Sequence, residues 1–173
     1  VIDRYGFESS VGLKPYTDLR QAITCSKETG RPIFLFIHGY AVFSSNLPWE
    51  VFENGTVRKL IDEHFVLCLL MVDDKRSIAP EDTIGFPPLS KGVSTIGQQN
   101  MTFQRDYFKT VSCPTMVMVN DRLETLHEPL GYRGKDTVSD LIRMLQDGIH
   151  AHRERAFFPS QAVREFNLGV LQT

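Results

Sequence analysis

Three apolar runs of strand length constrain this chain more than anything else in it. They are Ile33–Ile37, Phe65–Val72 and Pro114–Val119. The first two are continuous rather than alternating, so a strand built from them has both faces covered. That demands a central sheet with helices on each side.

The segments between them read accordingly. Thr17 is placed to cap a helix that runs to about Thr29, with Leu19, Ala22, Ile23 and Ser26 facing in and Gly30 as its stop. After the first strand, Val51, Phe52, Leu60 and Ile61 form a helical stripe with Pro48 in its first turn. Asn54-Gly55 divides that stripe into two helical pieces. A helix is expected over Gln98–Phe108, then the third strand, then a turn at Asn120-Asp-Arg122 and a fourth strand at Leu123–His127. Asp136 or Thr137 caps a last helix to about Arg153, with Val138, Leu141, Ile142, Leu145 and Ile149 inward. Residues 74–96, with Pro80, Gly85, Pro87, Pro88 and Gly92, read as a long insertion loop. The fold class is therefore α/β, with a mixed central sheet flanked by helices on both faces. Residues 1–16 are read as an irregular segment, 17–154 as the domain and 155–173 as a tail that can dock on it.

Composition narrows the function classes. The 173 residues suit one domain, and a formal charge of −2 without a basic cluster gives no electrostatic case for nucleic acid. No apolar run approaches the roughly 20 residues of a membrane span, so no membrane insertion of this chain is expected. No signal peptide is visible at Val1. Cys25, Cys68 and Cys113 form no C-x-x-C pair, and no metal or other cofactor is expected from them. His150 and His152 sit two apart on a helix, point away from each other and read as solvated.

Attention falls on the corner after the first strand, His38-Gly-Tyr-Ala-Val-Phe-Ser-Ser-Asn46. A strand-to-helix corner puts helix amides against a reacting atom. One reading is a serine hydrolase using Ser44 or Ser45. That chemistry needs a G-x-S-x-G elbow after a later strand, and the chain has none.

A second reading rests on residues in order along some 140 positions: Gly30-Arg-Pro-Ile-Phe-Leu35, Gly39-Tyr40, Val51-Phe52, Val72-Asp-Asp-Lys75, Thr95-Ile-Gly97, Phe103-Gln104, Cys113-Pro114, Val117–Asp121 and Gly131-Tyr132. In this order the chain resembles the C-terminal thioredoxin-like domain of the bacterial thiol:disulfide interchange protein DsbD and its free-standing relatives. The resemblance implies a thioredoxin-like fold and a periplasmic or cell-envelope setting. It also implies two cysteines two residues apart at the corner, the first activated by the helix terminus. Those cysteines are missing. Their positions fall at Ala41 and Ser44, or at Val42 and Ser45, depending on which flank anchors the register. The family's buried acid falls at Leu35 or Phe36, also apolar. Neither register leaves a nucleophile, a resolving thiol or a proton-handling acid.

Cys113-Pro114 matches the family's cis-proline step, whose preceding residue can pair with an extended peptide. Cys113 is then either a lone reactive thiol or a small buried hydrophobe. Cys25 and Cys68 read as packing residues. Tyr40, Phe43, Leu47 and Trp49 gather near the corner as interface anchors. The expected function is a dithiol-free thioredoxin-like domain that binds a protein or peptide through Tyr40, Phe43, Trp49, Cys113 and Pro114. Thiol chemistry through Cys113 is the alternative, and a hydrolase stands third.

Overall fold

The structure is a computed structural model that describes residues 11–39, 47–79 and 92–157, the last of these and 47–49 partly as backbone alone. Helix α1 spans Leu19–Thr29. Its cap is Asp18 rather than Thr17, because the Asp18 carboxylate both accepts from the Arg20 amide at 2.9 Å and pairs with the Arg20 guanidinium at 2.8 Å. Gly30 closes the helix in the left-handed region, at φ 67°, and returns its N–H to the Ser26 carbonyl.

Strand β1 spans Ile33–His38, and every residue in it is buried. Helices α2 (Leu47–Glu53) and α3 (Gly55–His64) follow, divided at Asn54 as the sequence predicts. The Asn54 side chain accepts from the Thr56 and Val57 amides, so the residue that breaks one helix caps the next. Strand β2 spans Val66–Met71 and is also buried throughout.

The insertion is more ordered at its base than a loop. Ser77 and Thr95 pair, the Ile78 N–H reaches the Ser94 carbonyl, and the Ile96 N–H reaches the Arg76 carbonyl. Helix α4 (Ile96–Phe108) starts directly from this ribbon through a capping box of Thr95 and Gln98. Gly97 lets it start there, since a Cβ at that position would lie 2.5 Å from the Asp74 nitrogen and 2.6 Å from the Val72 oxygen.

Strand β3 spans Thr115–Val119. The fourth strand is not Leu123–His127. Asn120 Oδ1 accepts from the Arg122 and Glu124 amides, Leu123 takes φ 62°, and only Thr125 bridges back to Val119. That side-chain-built turn occupies the stretch where a hairpin was expected. Strand β4 is instead the short pair Leu130–Gly131. A 3₁₀ turn over Gly134–Asp136 leads into α5, Thr137–Phe157, which runs past the expected end near Arg153. His152 is not merely solvated: its Nε2 lies 2.9 Å from the Gly30 carbonyl, tying α5 to the end of α1.

The sheet order is β2-β1-β3-β4. β1 runs parallel to β2, from Ile33 opposite Val66 to His38 opposite Met71, and antiparallel to β3, with Ile37 opposite Thr115. Tyr16 extends the β2 edge through two main-chain bonds to Leu67 and Leu69. The period-two alternation of β1 then sorts the core. Phe34 and Phe36 pack with Phe52, Val57, Ile61 and Leu145, the side of α2, α3 and α5. Ile33, Leu35 and Ile37 pack with Leu19, Ala22 and Phe103, the side of α1 and α4.

Two glycines give a paired test of this packing. Gly97→Ala drives a methyl into fixed backbone and is expected to cost about 1–3 kcal/mol or more. Gly55→Ala meets nothing within 4 Å and is expected to stabilise by about 0.4–1 kcal/mol. Urea denaturation of the two variants checks both, and equal midpoints would contradict the close approach at Gly97.

Candidate functional site

At the carboxyl end of β1 the chain reaches His38 and Gly39, and two neighbouring strands deliver residues to the same end. The parallel register carries β2 into Val72 and Asp73, with the Val72 N–H bonded to the His38 carbonyl at 2.8 Å. The antiparallel register places Pro114 and Cys113 just before Thr115, the partner of Ile37. The Cys113–Pro114 peptide bond is cis. The corner residues Tyr40, Ala41, Val42, Phe43, Ser44 and Ser45 lie outside the described residues, as does the side chain of Trp49. Of the sequence-expected site residues, the structure therefore describes Cys113 and Pro114 in full.

The Asp73 charge acts on both His38 and Cys113. A Cβ on Gly39 would lie 3.4 Å from Asp73 Oδ2, so the absence of a side chain at Gly39 makes room for the carboxylate. His38 is fully buried and stacks edge-on against Phe36 at 5.8 Å. Burial pushes its pKa down to about 4, and Asp73 opposes that only in part. Cys113 moves the other way: burial and then the Asp73 charge raise its pKa, while the nearby Gln104 amide acts to lower it. The imidazole is thus a weak base beside a weak acid. Both shifts work against a thiolate–imidazolium pair.

The other thiols are elsewhere. All three cysteines are unpaired thiols. Cys68 lies opposite Leu35, deep in the sheet, and its pKa is raised strongly by burial. Cys113 lies two strands away from Cys68 and about four residues further along the sheet, so their Cα atoms are roughly 16 Å apart, outside disulfide reach. Cys25 is on α1, beside the Tyr16 hydroxyl, whose own pKa is raised by the hydrogen bond to Cys25. The acid positions implied by the resemblance, Leu35 and Phe36, are both buried apolar core.

The segment before Pro114 is held by a polar network that sequence reasoning did not single out. Gln104, on α4 and 1% exposed, donates from Nε2 to the Ser112 carbonyl at 2.6 Å and to Thr115 Oγ1 at 3.1 Å. The Thr115 hydroxyl donates to the same Ser112 carbonyl at 2.6 Å. The chain continues through the hydroxyls, with Ser112 Oγ 2.9 Å from Thr115 Oγ1 and 3.2 Å from Thr110 Oγ1, either oxygen of each pair able to donate. The signal in the sequence was Asn100 and Gln104, polar residues four apart on the inward stripe that also carries Phe103. Asn100, also buried, uses its Nδ2 on the Met71 carbonyl.

Outside this network the segment is open. Val111 is 77% exposed and Ser112 is exposed, while Pro114 is buried. Among the described residues, the amide and carbonyl of Cys113 join no main-chain hydrogen bond. A cleft of about 140 Å³ between the starts of α1 and α4 is lined by Leu70 and Asn100, and its Arg20 and Arg76 pair with Asp18 and Asp74. Among the described residues no group of metal-ligating side chains gathers, and no helix is long and apolar enough to cross a membrane.

With this geometry in place, the chain can be set beside known proteins. No protein-family model matches it, and no curated protein matches it. Among solved structures it is similar to a DsbH oxidoreductase, with 17% identity over 76% of this chain and 83% of that one at a TM-score of 0.51. It is equally similar to a thioredoxin from Thermus thermophilus, with 18% identity over 76% of this chain and 84% of that one, also at 0.51. The fold is thioredoxin-like, with the mixed four-stranded sheet and flanking helices that the sequence predicts.

His38 generates a test with a defined sign. Its folded pKa, about 4, lies below the ordinary histidine value of 6.5, so the folded state resists protonation. The stability this contributes is complete above pH 6.5 and is lost as pH falls toward 4, by up to about 3 kcal/mol. Denaturant midpoints at pH 7.5, 5.5 and 4.5 should fall in the native chain and fall less in His38→Leu. Parallel slopes for the two proteins would contradict the buried neutral imidazole.

Proposed function

We propose that this chain is a thioredoxin-like domain without dithiol–disulfide activity that binds an extended protein or peptide segment at the end of its central sheet. The observation that carries the reading is the 110–113 segment. It is anchored from beneath by Gln104 and Thr115, yet exposes Val111 and leaves the Cys113 main chain uncommitted among the described residues. Main-chain donors and acceptors beside an exposed apolar side chain are what an incoming strand needs, the first for affinity and the second for selectivity.

Catalysis is disfavoured by chemistry on both sides of the corner. The sequence offers Ala41 and Ser44, or Val42 and Ser45, where a dithiol would stand. A serine hydroxyl neither forms a disulfide nor attacks without a base. The alternative, a single exchange step at Cys113, would need a thiolate, and burial with Asp73 disfavours that form. By resemblance to the DsbD C-terminal domain, the partner is a protein of the bacterial cell envelope and the setting is periplasmic. Tyr40, Phe43 and Trp49 are proposed to complete the binding surface, with Cys113 and Pro114 at its floor.

Two measurements test this. Insulin reduction with dithiothreitol should proceed at background rate, and turnover above it would overturn the non-catalytic reading. A phage-displayed library of linear seven-residue peptides, selected on the immobilised chain, should yield binders that lose at least tenfold in affinity on Val111→Asp. The same variant should change stability by no more than about 0.5 kcal/mol, because the site is exposed. Binders indifferent to Val111→Asp would place recognition elsewhere.

The thiol alternative is separable. Alkylation by iodoacetamide at pH 7, resolved by mass spectrometry, should be no faster at Cys113 than in the urea-unfolded chain. Faster alkylation in the native state would favour thiol chemistry.

A further inference from the structure

We infer that Gln104 is the positioning residue of the binding segment: its buried amide fixes the Ser112 carbonyl and so orients the main chain of Cys113 toward an incoming peptide. The inference rests on the binding function just proposed and adds the residue that sets its geometry.

The argument begins with where Gln104 stands. It lies on α4, a rigid 13-residue helix packed on the α1 side of the sheet, and its side chain is almost wholly buried. A buried primary amide is costly unless its hydrogens are used. Here Nε2 uses them on two acceptors, the Ser112 carbonyl and the Thr115 hydroxyl, which belong to residues on either side of Cys113–Pro114. The amide therefore straddles the step and fixes its two flanks to one helix. The hydroxyl chain Thr110–Ser112–Thr115 transmits that hold outward to the exposed part of the segment.

The alternative role for Gln104 is core filling, and the contacts speak against it. The Ser112 carbonyl already accepts from Thr115 at 2.6 Å, so satisfying it did not require a second donor. A second donor on one carbonyl removes rotational freedom instead. It leaves Ser112–Cys113 in one orientation before a partner arrives, which lowers the ordering cost of binding.

Two variants test this. Gln104→Met keeps the length and apolar stem but removes both donors. Gln104→Glu keeps the shape and makes donation depend on pH: the ionised carboxylate repels the Ser112 carbonyl, whereas the protonated acid can donate to it. Among the described residues, Asp73, His38 and the Cys113 thiol are the other titratable groups at this end, present in all three proteins, so the native chain is the control at each pH.

The readout is the ¹⁵N order parameters of residues 110–113. They should lie near the rigid value of about 0.85 in the native chain at pH 5 and pH 8, and fall below about 0.6 in Gln104→Met while the sheet is unchanged. Gln104→Glu should be rigid at pH 5 and mobile at pH 8. Affinity for the selected peptides should follow, falling tenfold or more in Gln104→Met and in Gln104→Glu at pH 8 only. Order parameters that stay native-like in both variants overturn the inference. Should the native chain bind no peptide, the proposed function fails by itself. The order parameters then still decide whether Gln104 fixes the segment. If Gln104→Met does not fold, the pH reversal in Gln104→Glu decides alone.

Discussion

Everything in this fold depends on the burial of β1 from both faces. A strand with six successive buried residues has no side for water, so its hydrogen-bonding edges must also be taken by neighbours. β2 takes one edge in parallel and β3 the other antiparallel. The parallel pair requires a crossover, which α2 and α3 supply on the Phe34–Phe36 side. The opposite face is left for α1 and α4. The registers that follow bring His38, Asp73 and Cys113 to one end without any direct interaction having to recruit them.

That end is electrostatically quiet for a reason that lies in the strand itself. Because β1 continues its buried pattern through residue 38, an imidazole occupies a place that only its neutral form tolerates. Burial and the Asp73 charge likewise raise the pKa of the Cys113 thiol. Burial therefore suppresses the charged state of both groups at once. A thioredoxin-like active site needs the reverse at its nucleophile, where helix amides favour thiolate. At the described end of this sheet, burial acts on His38 and Cys113 in favour of their neutral forms.

The sheet and its order of elements were legible in the sequence because continuous apolar runs carry a two-sided burial signal that local details do not blur. The Asn54-Gly55 break was legible as well, since Asn caps and Gly breaks by local chemistry alone. The fourth strand was misplaced because Leu123–His127 has strand-like composition, but Asn120 binds its own downstream amides and forces a turn that hydrophobic pattern cannot report. The cap at Asp18 was missed by one residue, and the deciding partner was Arg20 two positions on. Within the site, Cys113-Pro114 was found through resemblance. Gln104 enters the sequence reading only as part of the resemblance, because its importance lies in which carbonyl it meets, and Ser112 comes into its reach only once α4 lies on the sheet.

A hydrogen-bonded network is a different kind of feature from an apolar contact. Apolar packing is tolerant of small shifts, whereas each member of the Thr110–Ser112–Thr115–Gln104 chain bonds to the next, and moving one breaks its bond to another. The net stability from such a network is modest, but its geometric definition is strong. Placed in the core it would specify packing. Here it lies under a segment whose outer residues are exposed, so what it specifies is the shape of a surface. A segment held this firmly fits the peptide-binding reading proposed above, because a partner strand docks on main-chain groups only when they already point the right way.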